Sequence, residues 1–261
     1  MARQHSRAAL VPFVTVGHPS IDLTVEIVKR IERAGADVIE LGVPFSDPLA
    51  EGPTIQKSSF HALQQGVTPD ACIRTVARLR SDGVSVPLIF MGYYNPILAM
   101  GIDEFCRLSA EAGLDGLIVV DLPTSEAGPL MDAADRHGLA VVPLLALTST
   151  DRAIAEACKR ASGFVYCISV LGVTGARAQM SERVEQLITR VRRHTDLPVA
   201  VGFGISTAEH LANVARFADG AAVGSALVNA ISGGPPESAP DRAGAFIESL
   251  VPGTKLKAVA E

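Results

Sequence analysis

Glu40 stands among apolar residues in the stretch 38-VIELGVPFSDPLAEGP-53, and a second carboxylate, Glu51, follows eleven positions later. Alternation from Asp37 to Leu41 places Val38 and Glu40 on one face of a strand and Ile39 and Leu41 on the other. A carboxyl group on a buried strand face loses hydration. Its pKa then rises, which suits proton transfer near neutral pH. A structural ion pair at the strand end is the other reading, because a strand Glu flanked by Ile and Leu is costly unless paired or used. The segment 44-PFSDPLAEGP-53 carries three prolines, which restrict the backbone and can hold Asp47 and Glu51 in place. A solvated polar loop fits the same residues.

Three further stretches carry small residues at strand ends: 172-GVTGAR-177, 202-GFGIS-206 and 223-VGSAL-227. Small side chains let backbone N–H groups approach an anion. Glycine also simply turns corners. The chain has no Trp, three Tyr and nine Phe. Tyr93, Tyr94, Tyr166 and Phe203 fall toward strand C-terminal ends, and Phe13 lies in the first strand. Rings so placed can frame a flat apolar slot for a planar ligand, and each taken singly also fits a core.

These groups need a frame, and the apolar runs supply one. Eight recur along the chain: 9–16, 37–43, 87–94, 116–121, 140–147, 163–169, 198–204 and 220–228. Most are continuously apolar, as parallel strands covered on both faces should be. Helical segments are expected at 24–34, 69–79, 102–112, 125–137, 151–161, 181–194, 207–217 and 241–250, with Gly after many and Ser, Thr or Asp before others. Eight strands alternating with about eight helices in ~250 residues predict an α/β fold, a (β/α)8 TIM barrel. A doubly wound sheet would show a GxGxxG turn after its first strand, and 15-TVGHPS-20 is not one. A single domain over 1–261 is expected. The Pro/Gly-rich 232–244 reads as a surface loop, and the ends, about 1–7 and 252–261, read as frayed.

Composition narrows the function classes. The 261 residues are 48% hydrophobic and 20% charged, enough apolar material for a sizeable core. Net charge is −5, and no basic cluster exceeds Arg192-Arg193-His194, which argues against nucleic acid. Cys72, Cys106, Cys158 and Cys167 show no metal-ligand spacing and read as buried free thiols, which suits a reducing cytosol. No apolar run has the length of a membrane span or signal core, so a soluble, cytoplasmic protein is expected.

The stretches 10-LVPFVTVGHPS-20, 35-GADVIELGVPFSDPLAEGPTIQ-56, 93-YYNPI-97, 171-LGVTGAR-177, 202-GFGIS-206 and 224-GSALV-228 resemble the tryptophan synthase α subunit family, in order, over roughly residues 8–230. The resemblance implies retro-aldol cleavage of indole-3-glycerol phosphate to indole and glyceraldehyde 3-phosphate, a lyase step of tryptophan biosynthesis, without metal or organic cofactor on this chain. It assigns Glu40 to protonation of indole C3 and removal of the glycerol hydroxyl proton, and Glu51 to the ring N–H. It assigns Phe13, Tyr93, Tyr166 and Phe203 to the indole pocket. Thr174 would meet the second acid on loop closure, and Gly175, Gly204, Gly224 and Ser225 would hold phosphate. Asp47 and Pro48 would face a β subunit that carries pyridoxal phosphate in an α2β2 complex. The family motif ends Ala-Asp-Gly-Pro, whereas this chain reads Ala50-Glu51-Gly52-Pro53, one methylene longer. Three other readings stand beside this one. They are a free-standing lyase releasing indole to secondary metabolism, a non-catalytic paralogue that activates a β partner, and another phosphate-binding barrel enzyme, which the 40–53 motif does not fit.

Overall fold

The computed structural model describes residues 7–168, 177–202 and 204–255, without the side chains of 177–181. Its strands are β1 (Ala9–Thr15), β2 (Ile39–Gly42), β3 (Leu88–Gly92), β4 (Gly116–Val119), β5 (Ala140–Val141), β6 (Leu144–Ala146), β7 (Val165–Ile168), β8 (Val199–Gly202) and β9 (Gly220–Val223). Every ladder between them is parallel, in the order β5-β4-β3-β2-β1-β9-β8-β7-β6.

β5 and β6 are halves of one stave, broken at Val142-Pro143. Val142 N–H donates back to Leu117 O at 2.9 Å, while the Pro143 carbonyl accepts Tyr166 N–H at 3.0 Å. One half therefore pairs with β4 and the other with β7. The sheet closes on itself, and the eight staves of a TIM barrel are complete.

The strands are apolar on both faces for a physical reason. Leu10, Ile39, Leu41, Phe90, Leu117, Val165 and Val201 are buried in the cluster that joins strands to the helices outside. Val11, Ile89, Ile118, Val142, Tyr166 and Ala222 form a second cluster inside the barrel. Neither face meets water, so period-2 polarity is absent. The four thiols are free and buried, as their sequence neighbours suggested. Among the described residues, no helix is long and apolar enough to cross a membrane.

Among the described residues, side-chain caps start four helices: Ser20 for Ile21–Arg33, Thr68 for Pro69–Ser81, Thr150 for Asp151–Arg160 and Thr207 for Ala208–Ala215. Three helices lie outside the sequence expectation. Pro53–Gln64 buries only Ser58, Ser59 and Ala62, so it shows no apolar stripe. Tyr94–Met100 is short and buries only Ile97. Ser225–Ser232 continues an apolar run that reads as strand, and the backbone switches to helix after Gly224.

Two further expectations are corrected. The tail from 252 is packed through 255: Thr254 is buried, its carbonyl accepts Ala8 N–H at 2.9 Å, and a Cβ on Gly253 would come within 2.1 Å of Ala208 O. At the other end Arg7 makes two hydrogen bonds to the Asp37 carboxylate. The 232–244 stretch holds a 3-10 turn at Pro236–Ser238 and the start of helix Ala239–Leu250.

The N-terminal rim of the barrel repeats one device. Asp37, Asp115, Ser162 and Asp219 each stand just before an even-numbered stave. Each accepts, on its side chain, the backbone N–H of a residue in the preceding odd stave: Leu10 at 2.8 Å, Leu88 at 2.7 Å, Val141 at 3.1 Å and Val199 at 2.9 Å. Each also donates its own N–H to the carbonyl of that same residue. The three aspartates are further paired with Arg7, Arg80 and Arg192. The uncharged Ser162 needs no such partner.

Candidate active site

Glu40 projects from β2 into the barrel, with Phe13 and Ile89 as its register neighbours on β1 and β3. It is 1% exposed, and its Oε1 has no hydrogen-bond partner. Burial alone pushes its carboxyl up to about 8. The ion pair that would have made Glu40 structural is absent: no salt bridge among the described residues includes it. A neutral carboxyl is the form a dry barrel wall accepts, and it holds a proton ready to transfer at neutral pH.

Tyr166 lies close enough that the Glu40 charge adds to the burial that raises its phenol pKa. It occupies the second position of β7, inside the barrel, rather than the strand's end. Its ring crosses β8 so closely that a Cβ on Gly202 would meet Tyr166 Oη at 2.6 Å. Phe13 needs glycine in the same way, since a Cβ on Gly42 would stand 2.4 Å from its ring. These two glycines are required by ring placement.

The loop from Pro44 to Gly52 is held at several points. Ser59 Oγ accepts Phe45 N–H at 3.0 Å. Gln56 donates to the carbonyls of Pro48 at 3.2 Å and Glu51 at 3.0 Å. Tyr93 Oη accepts Ala50 N–H at 2.9 Å and donates to the Glu51 carboxylate. Tyr93 also stacks on Phe45, with ring centroids 4.8 Å apart. Desolvation raises the Glu51 pKa, and the bond from Tyr93 partly offsets that rise. The loop is thus a fixed shelf, with Glu51 turned inward and Asp47 and Leu49 exposed.

Phe13 connects the two acids. It neighbours Glu40 in register, and it lines a hollow of about 10 Å³ together with Glu51, Ile55, Met91, Tyr93 and Gly42. Ile55, Met91, Ser59 and Gln56 were not singled out from sequence. The Pro53 start of their helix was the one signal that could have found three of them.

Gly224 lies over the same corner, 3.5 Å from Ile55 Cδ1 and 3.9 Å from Phe13 Cβ if a Cβ is placed on it. It precedes helix Ser225–Ser232, whose first N–H groups have no side-chain cap, and Ser225 is exposed. Gly204 is exposed and left-handed, with φ +57°. Gly204, Gly224 and Ser225 thus stand at the C-terminal ends of β8 and β9, where an anion would find free donors. Thr174, Gly175 and Phe203 lie outside the described residues.

The tryptophan synthase alpha chain model matches residues 1–249. The alpha chain of Chloroflexus aggregans is 47% identical over 253 residues, covering 97% of this chain and 95% of that protein. That of Citrifermentans bemidjiense is 50% identical over 226 residues, covering 87% and 84%. Among solved structures, tryptophan synthase from Mycobacterium tuberculosis superposes with a TM-score of 0.89 at 37% identity, over 98% of this chain and 96% of that one. The barrel, the 40–53 shelf and these matches agree, and the chain belongs to the tryptophan synthase alpha chain family.

Proposed function

We propose that this chain cleaves indole-3-glycerol phosphate to indole and glyceraldehyde 3-phosphate as the α subunit of tryptophan synthase. The observation that carries the reading is Glu40, a fully buried carboxyl with an unpartnered oxygen inside the barrel and a pKa pushed up to about 8. Cleavage of the C3 bond requires a proton delivered to indole C3 and a proton taken from the glycerol hydroxyl. A protonated Glu40 delivers the first and, once ionised, accepts the second. Glu51, held by Tyr93, faces the ring N–H and balances the positive charge that develops on the indole.

Phe13 and Tyr166 frame the indole plane, and the family resemblance assigns Phe203 to the same pocket. Tyr93 serves the shelf more than the pocket, because both bonds of its hydroxyl go to residues 50 and 51. Gly204, Gly224 and Ser225 take the phosphate, and the family resemblance assigns Gly175 to the same site and Thr174 to the contact with Glu51. The chemistry is acid–base throughout and asks for no cofactor on this chain. Pyridoxal phosphate belongs to the β partner.

The partner surface is the outer side of the shelf. Leu49, next to Pro48 in the chain, is 93% exposed, and an apolar side chain of that size gains by being covered. This favours a partner-bound α subunit over a free-standing lyase; the α2β2 stoichiometry and the cytoplasmic location are what the family resemblance implies. The test is indole release from indole-3-glycerol phosphate by the purified chain, with and without a β subunit. Slow release that rises sharply with the partner supports the reading. Fast release unaffected by the partner would make the chain a free-standing lyase, and no release in either case would leave it non-catalytic.

A further inference from the structure

The end of the barrel opposite Glu40 is hollow. TIM-barrel interiors are normally filled by layers of bulky branched side chains. Here the N-terminal layer is built from small residues, among them Ala9, Ala140, Ala200 and Gly220, and the cavity they leave has a volume of about 300 Å³. Its inner wall is Val11, Val38 and Ile89. Val38 precedes Glu40 by two residues on the same face of the strand, and Ile89 is the register neighbour of Glu40, so the cavity ends against the side chains beside the acid.

The chemistry of the walls selects the occupant. The carboxylates that reach the cavity, Asp115 and Asp219, are already spent on Arg80 and Arg192 and on the N–H groups of Leu88 and Val199. The remaining surface is almost entirely aliphatic, with Phe164 as its one aromatic ring. The cavity opens to solvent past the exposed Asp115 and Gly163, while its aliphatic inner walls offer water few partners; closed apolar cavities of half this size bind benzene-sized guests. A charged or strongly polar guest would lose hydration with nothing to replace it.

We propose that this cavity is a second binding site, for a small neutral apolar molecule up to the size of a bicyclic aromatic. The site shares no lining residue with the hollow beside Glu51, and it meets the Glu40 neighbourhood only through Ile89. A guest would bind the folded chain only, so it would also raise the unfolding temperature.

Benzothiophene is a suitable probe, because it is neutral and bicyclic and its sulfur is located by anomalous scattering. Calorimetry on the full chain is expected to give a Kd on the order of 0.1–1 mM, the range open to a ligand of about nine heavy atoms. Crystals soaked in it should show a sulfur peak between Val38 and Phe164. Ala200→Leu fills the cavity and should weaken binding at least ~10-fold. Where that variant does not fold, Ala9→Leu at the rim should do the same. No binding at millimolar probe, a sulfur peak only at the Glu51 end, or affinity unchanged in a folded cavity-filling variant would each overturn the proposal.

Discussion

The Tyr93 hydroxyl donates to the Glu51 carboxylate while accepting the N–H of Ala50, so one phenol fixes both the second acid and the loop that carries it. Tyr93→Phe keeps the stack on Phe45 and removes only the hydroxyl. Stability should fall by about 1 kcal/mol, the worth of a hydrogen bond of this kind. Indole release should fall ~10-fold or more in kcat, because Glu51 loses its orientation. Steady-state kinetics beside a denaturation curve separates the two effects, and an unchanged kcat would remove Tyr93 from the shelf's function.

Glu40→Gln keeps the shape of the side chain and deletes its proton chemistry. A loss of ~1,000-fold in kcat is expected, with the fold intact by circular dichroism. The variant should also be the more stable protein at high pH. The folded pKa of Glu40 lies near 8, above the ordinary glutamate value of 4.5, so its stabilising contribution is whole below pH 4.5 and is lost as pH rises through 8. The gap in melting temperature between variant and parent should therefore open across that window.

The same protonation sets the rate profile. If the acid form of Glu40 starts the reaction, kcat/KM of the parent falls as pH rises through about 8. A profile flat to pH 9.5 would mean that another group delivers the proton.

Glu51→Asp shortens the arm by one methylene and restores the residue usual in the family. The shelf is pinned by Ser59, Gln56 and Tyr93, so it cannot follow the shorter side chain inward. A loss of ~10- to 100-fold in kcat is expected, as for a displacement near 1 Å. A gain in rate would show that the longer arm is a handicap the chain tolerates.

His18 gives an acid-side test. Burial first, then the nearby His61 and Lys57, lower its pKa to about 4. Its ring nitrogens meet His61 Nδ1 at 3.2 Å and Ser232 Oγ at 2.8 Å, contacts suited to a neutral imidazole. The unfolded chain takes up that proton below about pH 6.5 and the folded chain does not, so stability is lost as pH falls from 6.5 to 4. His18→Asn should flatten that part of the melting-temperature curve.

The sequence showed most of the barrel because its strands are apolar on both sides and its helices carry Ser or Thr caps. It hid helix Pro53–Gln64, which buries serines and an alanine where an apolar stripe was sought. It hid helix Ser225–Ser232 because the residues that leave β9 are as apolar as those within it. Glu40 was legible as a misfit in its own strand. The roles of Tyr93, Gln56 and Ser59 were not, since their bonds join residues between five and 43 positions apart, and no apolar periodicity encodes such contacts.

The four rim clasps from Asp37, Asp115, Ser162 and Asp219 all join an odd stave to the even stave that follows it. None spans the step from an even stave to the next odd one. The rim is thus grouped into four clasped pairs, and among the described residues the steps between pairs carry no clasp of this kind. Circular permutation should respect that grain: new termini at Gly83 or Gly138, between pairs, leave every clasp intact, whereas a cut at Gly35 or Gly113 severs the connection a clasp spans.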